Sequence, residues 1–233
     1  MHIPDGYLGP QTYLPAYAVT ASIWAVASRK LNKTLRSKQV PILGLSAAFC
    51  FVIMMYNVPI PGGTTGHAVG AVLAAVLLGP WAACIAVSVA IIVQALIFGD
   101  GGITCIGANC LNMAIIMPFV GYGVYRLIAG KSDRKSPRRP IAAAIGGYVG
   151  LNVAALSAGI MFGIQPLIAH DAAGHALYAP YPLKLAVSAM VLGHLIFGLV
   201  EAAVTGMVVA YVQRTDSSLL FIPGEARPGG ASE

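Results

Sequence analysis

The sequence predicts an all-α integral membrane protein: a compact bundle of seven transmembrane helices, with the amino terminus outside and the carboxy terminus cytoplasmic. Three observations predict it. Hydrophobic residues make up 58% of the 233 and charged residues 9%, far below the usual quarter charged of soluble domains, and mean hydropathy is +0.78. Apolar runs recur with short links, which leaves no room for a separate soluble catalytic domain. The basic residues fall on alternate links, as the positive-inside rule requires.

The apolar runs cover residues 12–29, 41–57, 66–78, 81–98, 110–129, 140–163 and 183–213. The third is short, since about 13 residues at ~1.5 Å each give ~20 Å against a hydrocarbon core of ~30 Å. The preceding Val58–Gly66 segment is therefore expected to dip inward, covered by protein or lining a cavity, because lipid cannot satisfy irregular backbone. Gly79-Pro80 supplies the break before the fourth run, with proline opening the next helix. Segment 99–112 reads as a second inward-dipping loop. Small residues at four-residue spacing, such as Gly146 with Gly150 and Gly198 with Ala202, support close helix packing. Residues 1–213 form the membrane domain with its amino-terminal segment, and 214–233 a cytoplasmic tail.

Links 30–40 and 130–139 with Arg29 and Arg126 carry eleven Lys or Arg, and Arg214 and Arg227 fall on the same side. Only Lys184 falls on the other, so the basic face is cytoplasmic. The net charge of +6 thus points to lipid headgroups and not to nucleic acid. The amino terminus and links 58–65, 99–109 and 164–182 then share the outer face, which gathers His2, His67, His170 and His175 there.

Met1-His2 has a specific chemistry. A terminal amine, the His2 amide nitrogen and the His2 ring Nδ1 can close a five- and a six-membered ring around one ion. Three planar nitrogens suit Cu(II) or low-spin Ni(II), whose square-planar preference compensates for the lost amide proton. The best fourth donor is His67, expected to open the third helix after Pro61-Gly62-Gly63-Thr64-Thr65-Gly66. The apolar and turn residues of Ile3-Pro4-Asp5-Gly6-Tyr7-Leu8-Gly9-Pro10 read as a folded plug and not a loose end. Asp5 is a candidate to orient a ligating ring N–H. Asp100, Asn109 and Asn112 are candidates for similar support, or for capping and turning the backbone. His170 and His175 read as a solvated loop. His194 and Glu201, seven apart on one helix face, read as packing or subunit contacts, with Glu201 nearer the cytoplasmic end. Cys50, Cys84, Cys105 and Cys110 lack a C-x-x-C pair and read as small buried hydrophobes.

The segments Met1-His2-Ile3-Pro4-Asp5-Gly6-Tyr7, Gly62-Gly63-Thr64-Thr65-Gly66-His67 and Asp100-Gly101-Gly102-Ile103-Thr104, with Gly107-Ala108-Asn109 and Asn112-Met113-Ala114, carry a family resemblance. Over residues 1 to about 213 the chain resembles the substrate-capturing S components of nickel and cobalt energy-coupling-factor transporters, the CbiM/NikM family. The resemblance implies Ni(II) or Co(II) as cargo, with no catalytic cofactor, held by the Met1 amine, the His2 main-chain nitrogen and ring, and the His67 ring. It also implies a transmembrane T component, two cytosolic ATPase subunits and a small accessory membrane subunit as partners, in a prokaryotic inner (cytoplasmic) membrane.

No H-E-x-x-H, G-x-S-x-G or G-x-x-x-x-G-K-[ST] motif occurs, so no enzyme activity is expected in this chain. The main rival is a self-sufficient divalent-cation channel or secondary carrier, disfavoured by the scarcity of ionisable residues within the spans. A copper or heme enzyme is disfavoured by the lack of paired intramembrane histidines.

Overall fold

A computed structural model describes residues 1–34, 39–60 and 64–223. It is dominated by helices: α1 (Pro10–Thr34), α2 (Val40–Met54), α3 (Ala71–Leu78), α4 (Pro80–Val93), α5 (Ile106–Asn109), α6 (Met117–Ala129), α7 (Arg138–Gly163), α8 (Gln165–Ile168) and α9 (Leu183–Asp216). Gln94–Phe98 extends α4 as π-helix, and a second π-helical stretch, Cys110–Ile116, joins α5 to α6. Proline opens α1 and α4 within their first turns, where its missing N–H removes no helical bond, while Pro118 sits inside the continuous stretch, just after its π-helical part.

Among the described residues, four continuous helical stretches are long and apolar enough to cross a bilayer: Pro80–Phe98, Ile106–Ala129, Arg138–Ile168 and Leu183–Leu219. Their outward faces are apolar, with Leu127, Leu192, Ile196 and Leu199 all exposed. A water-facing monomer rarely shows such surfaces, whereas hydrocarbon solvates them. The chain is a helical membrane protein. α2 is apolar but only 15 residues long, and α3 only 8.

The expected run at 66–78 differs in detail. Val58–Ile60 and Thr64–Gly66 form a two-stranded antiparallel hairpin, β1 and β2, with Val58 opposite Gly66. Gly70 at φ +76° then turns the chain into α3. His67 therefore stands in the link between strand and helix and does not open the helix. Two conformational demands explain the shift: Gly66 is committed to strand pairing, and only glycine takes the positive φ at residue 70 without strain. The break at Gly79-Pro80 is as expected, with Gly79 at φ +91° ending α3 and preceding α4. The loop after residue 99 is shorter than expected, since helix resumes at Ile106.

Glycines set the closest crossings. A Cβ on Gly121 of α6 would stand 2.7 Å from the Gly146 carbonyl oxygen of α7, and one on Gly146 only 2.5 Å from that of Gly121. α7 meets α9 the same way, Gly198 lying against Tyr148 and Asn152, and Gly206 against Ala144. α9 continues beyond residue 213 to Asp216, and the Phe221 N–H then donates to the Val76 carbonyl at 2.9 Å. Residues 224–233 of the expected tail, with Arg227, lie outside the described residues, as do Pro61, Gly62 and Gly63 of the glycine-rich approach and Arg36 and Lys38 of the first basic link.

Candidate metal centre

The amino-terminal segment is inserted into the protein. Met1 is 1% exposed and Ile3 and Leu8 are fully enclosed, all three within the main apolar core. Each stage of the segment is held by main-chain pairing. The Ile3 N–H donates to Asn109 Oδ1 at 2.8 Å, while the Ile3 carbonyl accepts from Asn109 Nδ2 at 3.1 Å and from the Gly102 N–H at 2.8 Å. Asn109 thus pairs with Ile3 as a neighbouring strand would. Further along, the Ala179 N–H donates to the Tyr7 carbonyl at 3.2 Å and the Gly9 N–H to Gln165 Oε1 at 2.9 Å.

Asp5 does not reach a histidine. It accepts from the Ile103 N–H at 3.1 Å and from the Thr104 N–H at 2.8 Å, with the Thr104 hydroxyl as a third donor. These bonds, the Thr104 hydroxyl foremost, hold its carboxyl below the usual range. Its role is to staple the plug to the 102–104 loop. Contact there is tight: a Cβ on Gly102 would stand 2.3 Å from the Asp5 main-chain nitrogen. Gly102→Ala is therefore expected to push the plug outward and weaken retained metal by ~10-fold or more, since a displaced support typically costs 10–100-fold; equilibrium dialysis against nickel checks this.

At the head of the plug the Met1 amine donates to the Thr65 carbonyl, with Thr65 Oγ1 3.4 Å away. The His2 and His67 rings lie nearly parallel, their centroids 4.8 Å apart and their planes at 22°. An ion ~2 Å from a ring nitrogen stands ~3 Å from that ring's centroid, so two adjacent imidazoles on one ion have centroids roughly 4.5 Å apart. The observed centroid spacing is close to that separation, with the two rings stacked. His67 is fully buried, and its Nδ1 lies 3.0 Å from the Ala68 carbonyl, which makes Nδ1 the N–H donor and leaves the Nε2 lone pair bare. His67 Nε2 and both His2 ring nitrogens are buried without a hydrogen-bond partner. Buried polar atoms normally have partners, and these three nitrogens belong to two neighbouring rings.

Electrostatics favour neutral donors. Burial pushes the Met1 amine down to about 4, with Asp100 pulling weakly the other way. Burial, then the adjacent amine, pushes the His2 ring down to about 3 against a smaller opposing pull from Gln94. The 3.5 Å contact between His2 Nδ1 and Asp100 Oδ1 is accordingly not an ion pair at neutral pH. Asp100 is itself raised by burial, and it would supply negative charge beside an arriving cation. Among the described residues no three His, Cys, Asp or Glu side chains are placed to hold a metal.

Two candidates stand elsewhere. Asn112 Nδ2 lies 3.5 Å from Met161 Sδ, and its Oδ1 has no partner, so it does not join Asn109 in gripping the plug. His175 is exposed and paired with Asp171 at 3.1 Å, and exposed His170 has its Nε2 by the Pro166 carbonyl. The four cysteines are buried and free.

Of the two roles expected for Glu201, packing is the one observed. It is fully buried beneath the turn after His67, accepting from the Val69 N–H at 2.8 Å and the Gly70 N–H at 3.0 Å, with the Thr205 hydroxyl 3.5 Å away. It is the support of the His67 turn and not an outward-facing contact. Glu201→Gln turns an amide NH2 toward buried donors, at an expected cost of ~1–3 kcal/mol, read as a lowered Tm with weaker nickel retention. His194, two turns away, gives its Nδ1 to the Met190 carbonyl at 2.7 Å, and its buried Nε2 is unpartnered.

Fold and site together define a membrane-embedded helical bundle with an enclosed nitrogen-donor pocket built around its own amino terminus. Residues 2–219 match the family model CbiM, described as the cobalt uptake substrate-specific transmembrane region. This chain belongs to the CbiM family. It is 56% identical over 221 residues to the fused nickel transport protein NikMN of Rhodobacter capsulatus, covering 94% of this chain and 64% of that one. It is 49% identical to the probable fused nickel transport protein LarMN of Lactiplantibacillus plantarum (95% and 67% covered) and 47% identical to a putative metal transport protein of Methanocaldococcus jannaschii (100% of both). The chain thus spans about two thirds of the two fused relatives. A solved structure described as a truncated transition metal transporter superposes with a TM-score of 0.88 at 52% identity, covering 92% of this chain and 99% of the other.

Proposed function

We propose that this chain is the substrate-binding membrane subunit, the S component, of an ATP-driven energy-coupling-factor importer. It captures Ni(II) or Co(II) at the outer face of a prokaryotic cytoplasmic membrane. The ion is held in one plane by the Met1 amine, the deprotonated His2 amide nitrogen, His2 Nδ1 and His67 Nε2. The amide proton is the one lost on capture, because burial keeps the other donors neutral beforehand. Asn109, Gly102 and Asp5 fix the plug, and Glu201 fixes the His67 turn. The printed names of the relatives, nickel transport and cobalt uptake, support the cargo.

In this reading seven helical passes place the amino terminus outside, residues 1–213 form the membrane domain, and 214–233 face the cytoplasm. A T component and two ATPase subunits, with a small accessory membrane subunit, supply ATP hydrolysis and the transport step, so this chain needs no catalysis of its own. The rival channel or carrier would need mobile intramembrane charge, yet the Glu201 carboxyl is engaged by main-chain N–H groups. The observation that carries the reading is the convergence of the buried Met1 amine with the unpartnered His2 and His67 nitrogens. His2→Ala and His67→Ala are each expected to lower nickel affinity by at least ~100-fold, the upper range for loss of a mere ligand-supporting partner. Nickel content after purification checks this, and either variant retaining full nickel contradicts the ligand set.

A further inference from the structure

The end of the bundle opposite the metal centre holds a second built site. A cavity of about 270 Å³ opens between the end of α6, the 130–137 link and the start of α7, lined among others by Tyr122, Arg126, Lys131, Ser132 and Arg139. Arg139 is 5% exposed. Its guanidinium is held by neutral groups: the Asp133 carbonyl at 2.9 Å, the Ser132 carbonyl at 2.5 Å and the Tyr125 hydroxyl at 2.8 Å. Among the described residues no carboxylate pairs with it, so a buried cation stands without a counter-charge. The Tyr122 and Ser132 hydroxyls, both on the cavity lining, are buried with no hydrogen-bond partner. Cations and unused hydroxyl donors facing one space are the recognition chemistry of a phosphate.

A second cavity of about 460 Å³ adjoins it, sharing Tyr122, Arg126, Phe221 and Pro223 and walled mainly by Leu31, Leu78, Pro80 and Trp81, with Lys30 and Lys33 also on its lining. Free phosphate has no use for that apolar extension. An acyl chain does. We propose that the paired cavities bind one anionic phospholipid, its phosphate between Arg126, Arg139, Tyr122 and Ser132 and the start of an acyl chain along Leu31, Leu78 and Trp81. Basic pockets between membrane helices hold acidic headgroups by this combination. The inference needs the membrane setting but not the identity of the cargo.

The test is native mass spectrometry of the full chain in detergent, supplied with phosphatidylglycerol or phosphatidylcholine. One phosphatidylglycerol is expected to be retained in preference to the net-neutral lipid. R126Q and K131Q are each expected to weaken retention roughly fivefold, the weight of one basic residue near an anionic surface, and Y122F to weaken it while nickel content stays unchanged, showing an intact fold. Equal retention of both lipids, or retention indifferent to all three substitutions, overturns the proposal. So does displacement of the lipid by inorganic phosphate at matched concentration, which would place free phosphate in the site. A full chain that retains no phosphatidylglycerol, where a variant lacking residues 224–233 does, overturns it in favour of the chain's own carboxylates.

Discussion

Acetylating the Met1 amine is expected to abolish nickel retention while leaving the helical fold intact. The acetylated nitrogen loses its basic lone pair, and the acetyl group must occupy space already filled by the Thr65 carbonyl contact of a residue that is 1% exposed. Added residues test the same point, but their number matters. One extra residue makes the histidine third in the chain, and a free peptide of that kind can wrap nickel with an amine, two amide nitrogens and the ring. That alternative chelate does not use His67. Nickel retained by a one-residue extension should therefore be indifferent to His67→Ala, whereas nickel retained by the native terminus should not. Two extra residues remove both solutions. Nickel bound by the acetylated chain with undiminished affinity would show that the amine is no ligand.

Asn109→Ala is expected to weaken nickel binding strongly without touching the ion. Its side chain makes two hydrogen bonds to Ile3, one residue beyond the chelate, and both are buried. Truncation leaves the Ile3 N–H unpaired in an apolar interior at ~1–3 kcal/mol. The Ile3 carbonyl keeps the Gly102 N–H, so it is the N–H side that suffers. Because the plug is ordered only where it is gripped, the loss should fall on the chelate geometry as a ~10–100-fold weaker nickel affinity. Asn109→Asp keeps the acceptor for the Ile3 N–H and should lose less. Calorimetric titration of both variants against nickel checks the order, and equal affinities would deny the clamp.

The proposed chelate rests on local sequence: amine, amide and ring are neighbours in the chain, and the proposed fourth donor follows a glycine-rich approach. The membrane class was legible from apolar run lengths. Other features were not, for physical reasons. The start of α3 moved from 66 to 71 because strand pairing of Gly66 and the positive φ of Gly70 are tertiary demands that periodicity does not record. Asp5 was expected beside a histidine, yet it binds main-chain N–H groups almost a hundred residues away, and main-chain donors leave no mark on a sequence. Glu201 was obscured in the same way, its partners being the N–H groups of Val69 and Gly70. The one pointer to it was a carboxyl stranded in an apolar helix, which must find a partner somewhere. Asn112 shared a motif with Asn109 but lies three residues on, where its amide reaches Met161.

Nickel K-edge X-ray absorption on the nickel-loaded chain with an unmodified terminus tests the central claim most directly. The account predicts four nitrogen neighbours in a square-planar, low-spin site, with the imidazole scattering of two rings and no sulfur. A six-coordinate site, a sulfur neighbour, or scattering from a single imidazole would contradict it.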